Sequence, residues 1–441
     1  MLIVLEAVRD IEKILEDLTD KNVIKDYRII LRLNMEIGVY VRVKDSFSGE
    51  LEALENYTKA EIETEYVRDT DIEEDSFYRS VFSSNVKTDL RIRRQLFNVI
   101  EYDRDTSSSD SPIITFYSYK GGVGRTTALA LFASYYAIHH KKKVVIMDCD
   151  FEAPGIANFY NLDTLSLSKP GIVEFILDKQ TTGETPDLRQ KYAIEVSREY
   201  CGDGSIYMMS AGSLYDEDDR NDYLEGLARI DIHGASGARK QFESLISDIN
   251  EEFNPDVILI DSKAGFNDIS GLAVYQLSNA VVGFFGNDIQ TKPGLHFFLK
   301  TILNKKEKTD ILIVNSIISS HSFKKIVKES SEAINAFINT LNQEDDKDVF
   351  VNVSAIMRNP VLENIGTHNE NRDGITAFIK SHISADCKNL FEKIVSLIDF
   401  YSLPEVTQVE IMENAPEKVS SADVETFRKR IESDACEGVL H

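Results

Sequence analysis

A glycine-rich segment carries the residue types best suited to binding a chain of phosphates. Residues Tyr119 to Thr127 read YKGGVGRTT, between a short apolar stretch that predicts a strand and an alanine-rich stretch that predicts a helix. Glycines lack a Cβ atom, so such a loop can curl until several backbone N–H groups point at one anion, and the positive end of a helix dipole adds to the attraction. The order of strand, loop and helix predicts a nucleotide-phosphate site.

One residue in this loop departs from the usual P-loop pattern GxxxxGK[ST]. Arg125 stands where the pattern has lysine, and Thr126 stands where it has the serine or threonine whose hydroxyl binds Mg²⁺. An arginine is a wide planar fork where lysine is a compact point charge. Arg125 can hold the β- and γ-phosphates, but the substitution leaves open whether hydrolysis is fast.

Acidic residues follow two further predicted strands. Asp148 and Asp150 end the stretch VVIMDCD, and Asp261 ends VILID. Side chains two apart at the end of a strand project to the same side, and the carboxyl ends of parallel strands meet at one edge of a sheet. We therefore expect these carboxylates to lie beside the phosphate loop, where they could bind Mg²⁺ and an attacking water.

The segment KGGVGRTT resembles the deviant Walker A loop of the MinD/ParA group of P-loop ATPases, in the version where KGGVGK has become KGGVGR. The resemblance covers about residues 112 to 400, roughly two-thirds of the chain. It implies ATP and Mg²⁺ as cofactors and a homodimer that forms on ATP binding. Lys120 would then reach the partner's nucleotide, and Asp150 would orient the attacking water or accept its proton.

The resemblance also implies roles for the remaining motif positions. Asp261 would be the Walker B residue, Gly265 would sense the γ-phosphate through its N–H, and Asn315, after the strand ILIV, would read adenine. The resemblance implies that the catalytic residues are Lys120, Asp150 and Arg125, and that the metal-binding residues are Thr126, Asp148 and Asp261. The implied nucleotide-binding residues are Gly121, Gly122, Val123, Gly124, Arg125, Thr126, Thr127, Asn315 and Gly265. A loop at Met357 to Val361 is a further candidate for packing on the base.

Hydropathy and composition predict the organisation of the chain. Residues 1–102 read as a small α/β domain without a chemical motif, 103–112 (DRDTSSSDSP) as a linker, and 403–441 as a tail with a short helix near Val424 to Ile431. Between them, at 113–402, short apolar strands alternate with helical stretches. This alternation predicts an α/β fold, a mostly parallel twisted sheet covered by helices on both faces.

The 441 residues carry a formal net charge of −25, which disfavours nucleic acid as a partner because that affinity comes chiefly from Lys and Arg on phosphates. A basic patch formed by a dimer could still bind nucleic acid despite this net charge. The apolar runs fall short of the roughly 18 residues of a membrane span, and the tail is not the basic amphipathic helix of a membrane anchor. We expect a cytoplasmic protein with free thiols at its four scattered cysteines.

These features favour an ATP-binding and hydrolysing switch that dimerises around ATP and regulates an unidentified partner protein, with the N-terminal domain as adaptor. A bacterial regulatory or defence role fits such a switch. The alternative is an ATP-binding sensor or scaffold with little or no hydrolysis, for which Arg125 would be the reason. A tyrosine kinase of similar fold is disfavoured, because the last tyrosine is Tyr401 and no C-terminal tyrosine cluster exists.

Overall fold

The computed structural model describes most of the chain in two compact units, Met1–Arg94 and Gln95–His441. The described residues are 3–31, 37–47, 51–55, 57–58, 62–83, 87–89, 111–160, 162–182, 187–229, 238–265, 272–286, 290–303, 309–345, 351–363, 374–404 and 407–408. Most of the predicted linker and the predicted tail helix lie outside them.

The first unit is a four-stranded sheet with helices. Its elements are α1 (Ile3–Asp20), β1 (Asp26–Leu31), β2 (Ile37–Arg42), α2 (Glu52–Glu55), β3 (Ile62–Val67), α3 (Asp69–Glu74), α4 (Ser76–Ser83) and β4 (Thr88–Asp89). The strand order is β3-β2-β1-β4, with β1 antiparallel to β2 and the other pairs parallel. Val8, Ile11 and Leu15 recur at helical spacing on α1 and share a buried core with Tyr27 and Val39.

The second unit contains an eight-stranded sheet in the order β12-β11-β10-β5-β9-β6-β8-β7. Every neighbouring pair is parallel except β7 with β8. The strands are β5 (Ile113–Ser118), β6 (Lys143–Cys149), β7 (Ala193–Glu195), β8 (Ser205–Met209), β9 (Val257–Ser262), β10 (Ala280–Phe285), β11 (Asp310–Ile318) and β12 (Asn352–Met357). The predicted fold class, a mostly parallel sheet, is confirmed.

Helices cover both faces of this sheet. They are α5 (Arg125–His140), α6 (Thr164–Leu167), α7 (Ile172–Thr182), α8 (Arg198–Cys201), α9 (Glu217–Arg229), α10 (Ala238–Phe253), α11 (Lys292–Leu303), α12 (Phe323–Asp345), α13 (Pro360–Glu363), α14 (Gly374–Ala377) and α15 (Ala385–Tyr401). Short 3₁₀ turns occur at Ile156–Phe159 and Ser320–Ser322, and π-helical turns at Leu188–Tyr192, Leu272–Leu277 and Phe378–His382.

Neighbouring residues of each central strand enter opposite cores, because side chains alternate along a strand. On β5, Ile114 packs in one core with α5 and α15, whereas Ile113 packs in another with α7 and α10. All six residues of β5 and of β9 are buried. Strands buried on both faces read as continuous apolar runs, which is why these were visible in the sequence.

Three strands lack a continuous buried run, and each lies at a sheet edge. β7 has only three residues, and β3 carries acidic residues and is mostly half-buried. β12 is also mostly half-buried. An edge strand has fewer apolar contacts to make, so its sequence lacks the continuous run that marks a central strand.

Two further expectations concern thiols and membranes. Cys149, Cys201 and Cys387 are free and buried, while Cys436 lies outside the described residues. Among the helices described, none combines the length and the apolar character needed to cross a bilayer.

The core around α5 predicts that substitutions of two leucines have different effects on the free energy of unfolding. Leu129 on α5 is fully buried, whereas Leu165 on α6 is 79% exposed. Leu129→Ala should lower the free energy of unfolding by about 2–5 kcal/mol, because a deleted buried side chain loses contacts and leaves a cavity. Leu165→Ala should change it by less than about 0.5 kcal/mol. Urea unfolding followed by circular dichroism measures both, and equal losses would contradict the packing described.

Candidate functional site

The phosphate-loop candidate has the backbone shape that its glycines allow. Gly122 has φ +77° and Gly124 has φ +80°, in the left-handed region that side chains disfavour. Gly124 caps α5 without any side-chain hydrogen bond, so no side chain covers the first N–H groups of the helix from that position. A Cβ atom added at Gly121, Gly122 or Gly124 would meet nothing within 4 Å. The loop is therefore an open cradle at a helix N-terminus, which fits a phosphate group.

The Arg125 side chain points into the protein and joins two carboxylates. Its Nε donates to Asp261 Oδ1 at 2.7 Å, and its Nη2 donates to Asp150 Oδ2 at 2.9 Å. Thr126 completes the group, since its hydroxyl donates to Asp261 Oδ2 at 2.8 Å and accepts from Arg125 Nη2 at 3.2 Å. The side chains of Arg125 and Asp261 are only 7% and 1% exposed, so these are buried ion pairs.

Asp148 lies on the strand next to Asp261, directly opposite it in the register of β6 and β9. Its carboxylate accepts from the backbone N–H groups of Asp150 at 3.1 Å and Gly155 at 3.3 Å. Burial, and after it the negative charge of Asp261, raises the pKa of Asp148 to about 8. A carboxyl group whose pKa is raised by burial and by neighbouring acids is typical of a functional site.

The charges of Arg125 and Asp261 depend on each other. Burial alone would lower the pKa of Arg125, but the charge of Asp261 and the bond to Asp150 outweigh that effect and raise it. Burial raises the pKa of Asp261, and the Arg125 guanidinium opposes that rise. Asp150 keeps one buried oxygen, Oδ1, without a hydrogen-bond partner among the described residues. That oxygen is free to accept from a water or a ligand.

A cavity of about 410 Å³ extends from the loop toward β11 and β12. The loop side of the lining includes Gly122, Gly124 and Thr127. The opposite side includes Ser316 and Ile317 of β11, Met357 at the end of β12, and Arg358 and Asn359 after it. The register of β11 with β12 shifts between Asn315 and Ile318, and Ile317 has φ +59°. A left-handed conformation at a β-branched residue is strained, and such strain clusters at ligand sites.

Asn315 and Ser316, neighbours on β11, each have a buried polar atom without a partner, but only Ser316 is among the residues that line the cavity. Asn315 Nδ2 donates to Ser330 Oγ of α12 at 2.6 Å, while Asn315 Oδ1 and Ser316 Oγ have no hydrogen bond within the described part of the chain. Buried polar atoms are almost always paired, so an unpaired hydroxyl in a cavity wall indicates a missing ligand or water. A nucleotide base in the cavity would supply a partner for Ser316, whereas the side chain of Asn315, the predicted adenine contact, is bonded to α12.

The other sequence-predicted residues lie at the rim of the loop. Lys120 is exposed and its Nζ donates to Gln290 Oε1 at 2.7 Å. The N–H of Gly265, which the motif assigned to sensing phosphate, donates to Ser118 O at 2.9 Å. The structure thus brings Arg125, Thr126 and the three acids together, and it places Lys120 and Gly265 in contacts of their own.

Ser316 and Gln290 were missed in the sequence. Ser316 follows Asn315 and could have been found as a second polar residue in an apolar strand, but no pattern indicated Gln290. The loops after β6 and β9 also touch, through an ion pair of Lys263 with Glu152. Lys263 stands where a proline is common in the resembling group, and sequence alone indicated no partner for it.

The predicted metal ligands converge but are already engaged. Both oxygens of Asp261 accept hydrogen bonds from the loop's own side chains, Arg125 and Thr126. In the part of the chain described, no cluster of three or more His, Cys, Asp or Glu side chains is arranged as a metal site. Thr126, Asp148 and Asp261 fit Mg²⁺ in donor chemistry, but Mg²⁺ bound directly to Asp261 would compete with the hydrogen bonds from Arg125 and Thr126.

Comparison with known proteins gives structural similarities at low identity. MinD from Pyrococcus horikoshii OT3, complexed with Mg-ADP, is 15% identical over 66% of this chain and 98% of its own, with a TM-score of 0.44. A ParA family ATPase from Chlorobium tepidum TLS is 13% identical over 67% and 98%, with a TM-score of 0.41. A plasmid partition protein from Borrelia burgdorferi is 17% identical over 62% and 100%, with a TM-score of 0.36. No family model and no curated protein matches the sequence.

The loop geometry predicts different costs for two glycine substitutions. Gly124→Ala should lower the free energy of unfolding by about 1–2 kcal/mol, because its backbone is left-handed and a Cβ atom is disfavoured there. Gly121→Ala should be neutral or slightly stabilising, since Gly121 has no positive φ and equally open space around it. Urea unfolding of the two variants provides the test. Equal effects would show that the loop does not adopt this conformation.

Proposed function

We propose that this protein is an ATP-binding and hydrolysing switch. The observation that carries the proposal is the open loop at the start of α5, with two left-handed glycines and a cavity of about 410 Å³ beside it. The cradle suits phosphates, and the unpaired Ser316 Oγ, which lines the cavity, suits the polar edge of a base. A serine hydroxyl both donates and accepts, which complements the amine and the ring nitrogens of adenine.

The chain's own residues can then be given roles. The N–H groups of Gly121 to Thr127 would bind the phosphates, and Asp150, with Oδ1 unpaired, would hold the attacking water or take its proton. If Arg125 releases Asp261 during hydrolysis, Thr126, Asp148 and Asp261 would hold Mg²⁺, which would neutralise charge on the phosphates. Because Asp150 Oδ2 is bonded to Arg125, the two residues would hold each other in position.

We further propose that ATP binding brings two copies together and that the dimer regulates a partner protein, in a bacterial regulatory or defence setting. Lys120 supports this idea because it is exposed at the rim of the loop, where it could reach a nucleotide in a second copy. Its bond to Gln290 would have to exchange for that contact. Hydrolysis would remove the γ-phosphate and loosen the dimer.

A specific observation favours the alternative function, an ATP-binding module with little or no hydrolysis. Arg125 is turned away from the loop and is tied to Asp261 and Asp150, the two acids that catalysis would use. If this arrangement persists with ATP bound, the acids stay neutralised and turnover stays low. The two functions differ in turnover, which can be measured.

Asp150→Asn tests the catalytic assignment. We expect ATP turnover to fall by about 10²–10⁴-fold, because the amide cannot accept a proton, while ATP binding remains and the variant accumulates as a dimer. Phosphate release and light scattering with ATP and Mg²⁺ measure these properties. The matched control is Asp203→Asn, a largely exposed acid far along the chain. Equal turnover in wild type and Asp150→Asn would refute the role of Asp150, and ATP binding without turnover in wild type would favour the passive module.

Lys120→Ala tests the dimer. The variant should bind ATP, remain a monomer in light scattering and lose turnover by about 10³–10⁵-fold, the range that a residue supplied in trans can contribute. Lys325→Ala, at a highly exposed lysine on α12, is the control and should behave as wild type. A Lys120→Ala protein that dimerises and hydrolyses normally would exclude the trans role.

A further inference from the structure

We infer that Arg125 is a built-in cation that takes the place of a divalent metal between Asp150, Asp261 and Thr126. Two consequences follow. Without nucleotide the site does not bind Mg²⁺, and ATP binding depends only weakly on Mg²⁺. The second consequence rests on the proposed function, whereas the first does not.

The guanidinium contacts carboxylate and hydroxyl oxygens, the atoms that a hard cation also binds. Arg125 reaches one oxygen of Asp261 at 2.7 Å, one of Asp150 at 2.9 Å and the hydroxyl of Thr126 at 3.2 Å. Carboxylate and hydroxyl oxygens are also the ligands of Mg²⁺. The second oxygen of Asp261 accepts from Thr126 at 2.8 Å, so Asp261 has no oxygen left without a bond. Mg²⁺ bound to Asp261 would therefore compete with Arg125 and Thr126 for the same two oxygens.

Because Arg125 is buried, its charge opposes the binding of a metal ion to the same carboxylates. The Arg125 side chain is 7% exposed, and arginine keeps its charge in proteins. A second cation among the same oxygens would meet a fixed positive charge in a medium that screens it poorly. Mg²⁺ also demands near-octahedral geometry and gives up its water reluctantly, so it competes poorly for ligands already in use.

The position of Arg125 in the fold explains why it turns inward. It is the first residue of α5. Asp150 directly follows β6, which is the sheet neighbour of β9, the strand that carries Asp261. A planar fork spans the two carboxylates with separate nitrogens, which the single ammonium of lysine cannot do with the same geometry. The substitution that departs from the P-loop pattern is therefore the one that allows an internal cation.

The first experiment measures metal binding without nucleotide. The melting temperature of the full chain is compared in EDTA and in MgCl₂, at matched ionic strength, for wild type, Arg125→Lys and Arg125→Gln. We expect no change for wild type and a rise of about 2 °C or more for Arg125→Gln, in which the acids lose their cation and accept Mg²⁺. Arg125→Lys, which keeps the charge, should lie between them. A wild-type protein stabilised by Mg²⁺ as strongly as Arg125→Gln would overturn the inference.

The second experiment measures the affinity of a fluorescent ATP analogue in EDTA and in MgCl₂. The ratio of the dissociation constant in EDTA to that in MgCl₂ should be below about threefold for wild type and above about tenfold for Arg125→Gln, where a metal can enter. A wild-type ratio above tenfold would overturn the inference. No ATP binding under either condition would instead refute the proposed function, and the melting experiment would still test the role of Arg125. If Arg125→Gln fails to fold, the melting experiment compares wild type with Arg125→Lys.

Discussion

The buried cluster of Arg125, Asp150 and Asp261 is the interaction on which the order of the site depends. Its bonds of 2.7 and 2.9 Å connect the start of α5 to the ends of β6 and β9, so three elements are held by one guanidinium. Removing one partner of a buried ion pair leaves an uncompensated charge and costs about 3–5 kcal/mol. The cluster therefore positions the loop and at the same time neutralises the acids that line it.

The sheet explains why these groups meet at one place. In a parallel sheet all carboxyl ends point to one edge, where the loop follows β5 and where Asp148 and Asp261 lie near the ends of β6 and β9. The loop glycines Gly122 and Gly124 line one side of the cavity, and Ser316 of β11, with its unpaired hydroxyl, lines another. A ligand with phosphates at one end and a polar ring at the other matches this layout.

The central strands and the loop could be predicted from the sequence because their signals are local. Continuous apolar runs marked β5 and β9, and YKGGVGRTT marked the turn into α5. The direction of the Arg125 side chain could not be predicted, since it depends on carboxylates more than twenty residues away in sequence. Ser316 was missed because the strand continues past Asn315 through a register shift. β7 and β3 were missed because short or acid-bearing edge strands carry weak patterns.

The central claim is that the backbone of residues 120–127 binds the phosphates of ATP. Hydrogen–deuterium exchange of the full chain, with and without saturating ATP, tests it directly, because a bound phosphate protects the N–H groups that donate to it. The account predicts slower exchange in peptides covering Lys120 to Thr127 and at Ser316, with exchange unchanged in residues 3–31 of the first unit. Unaltered exchange across the loop at saturating ATP would contradict it.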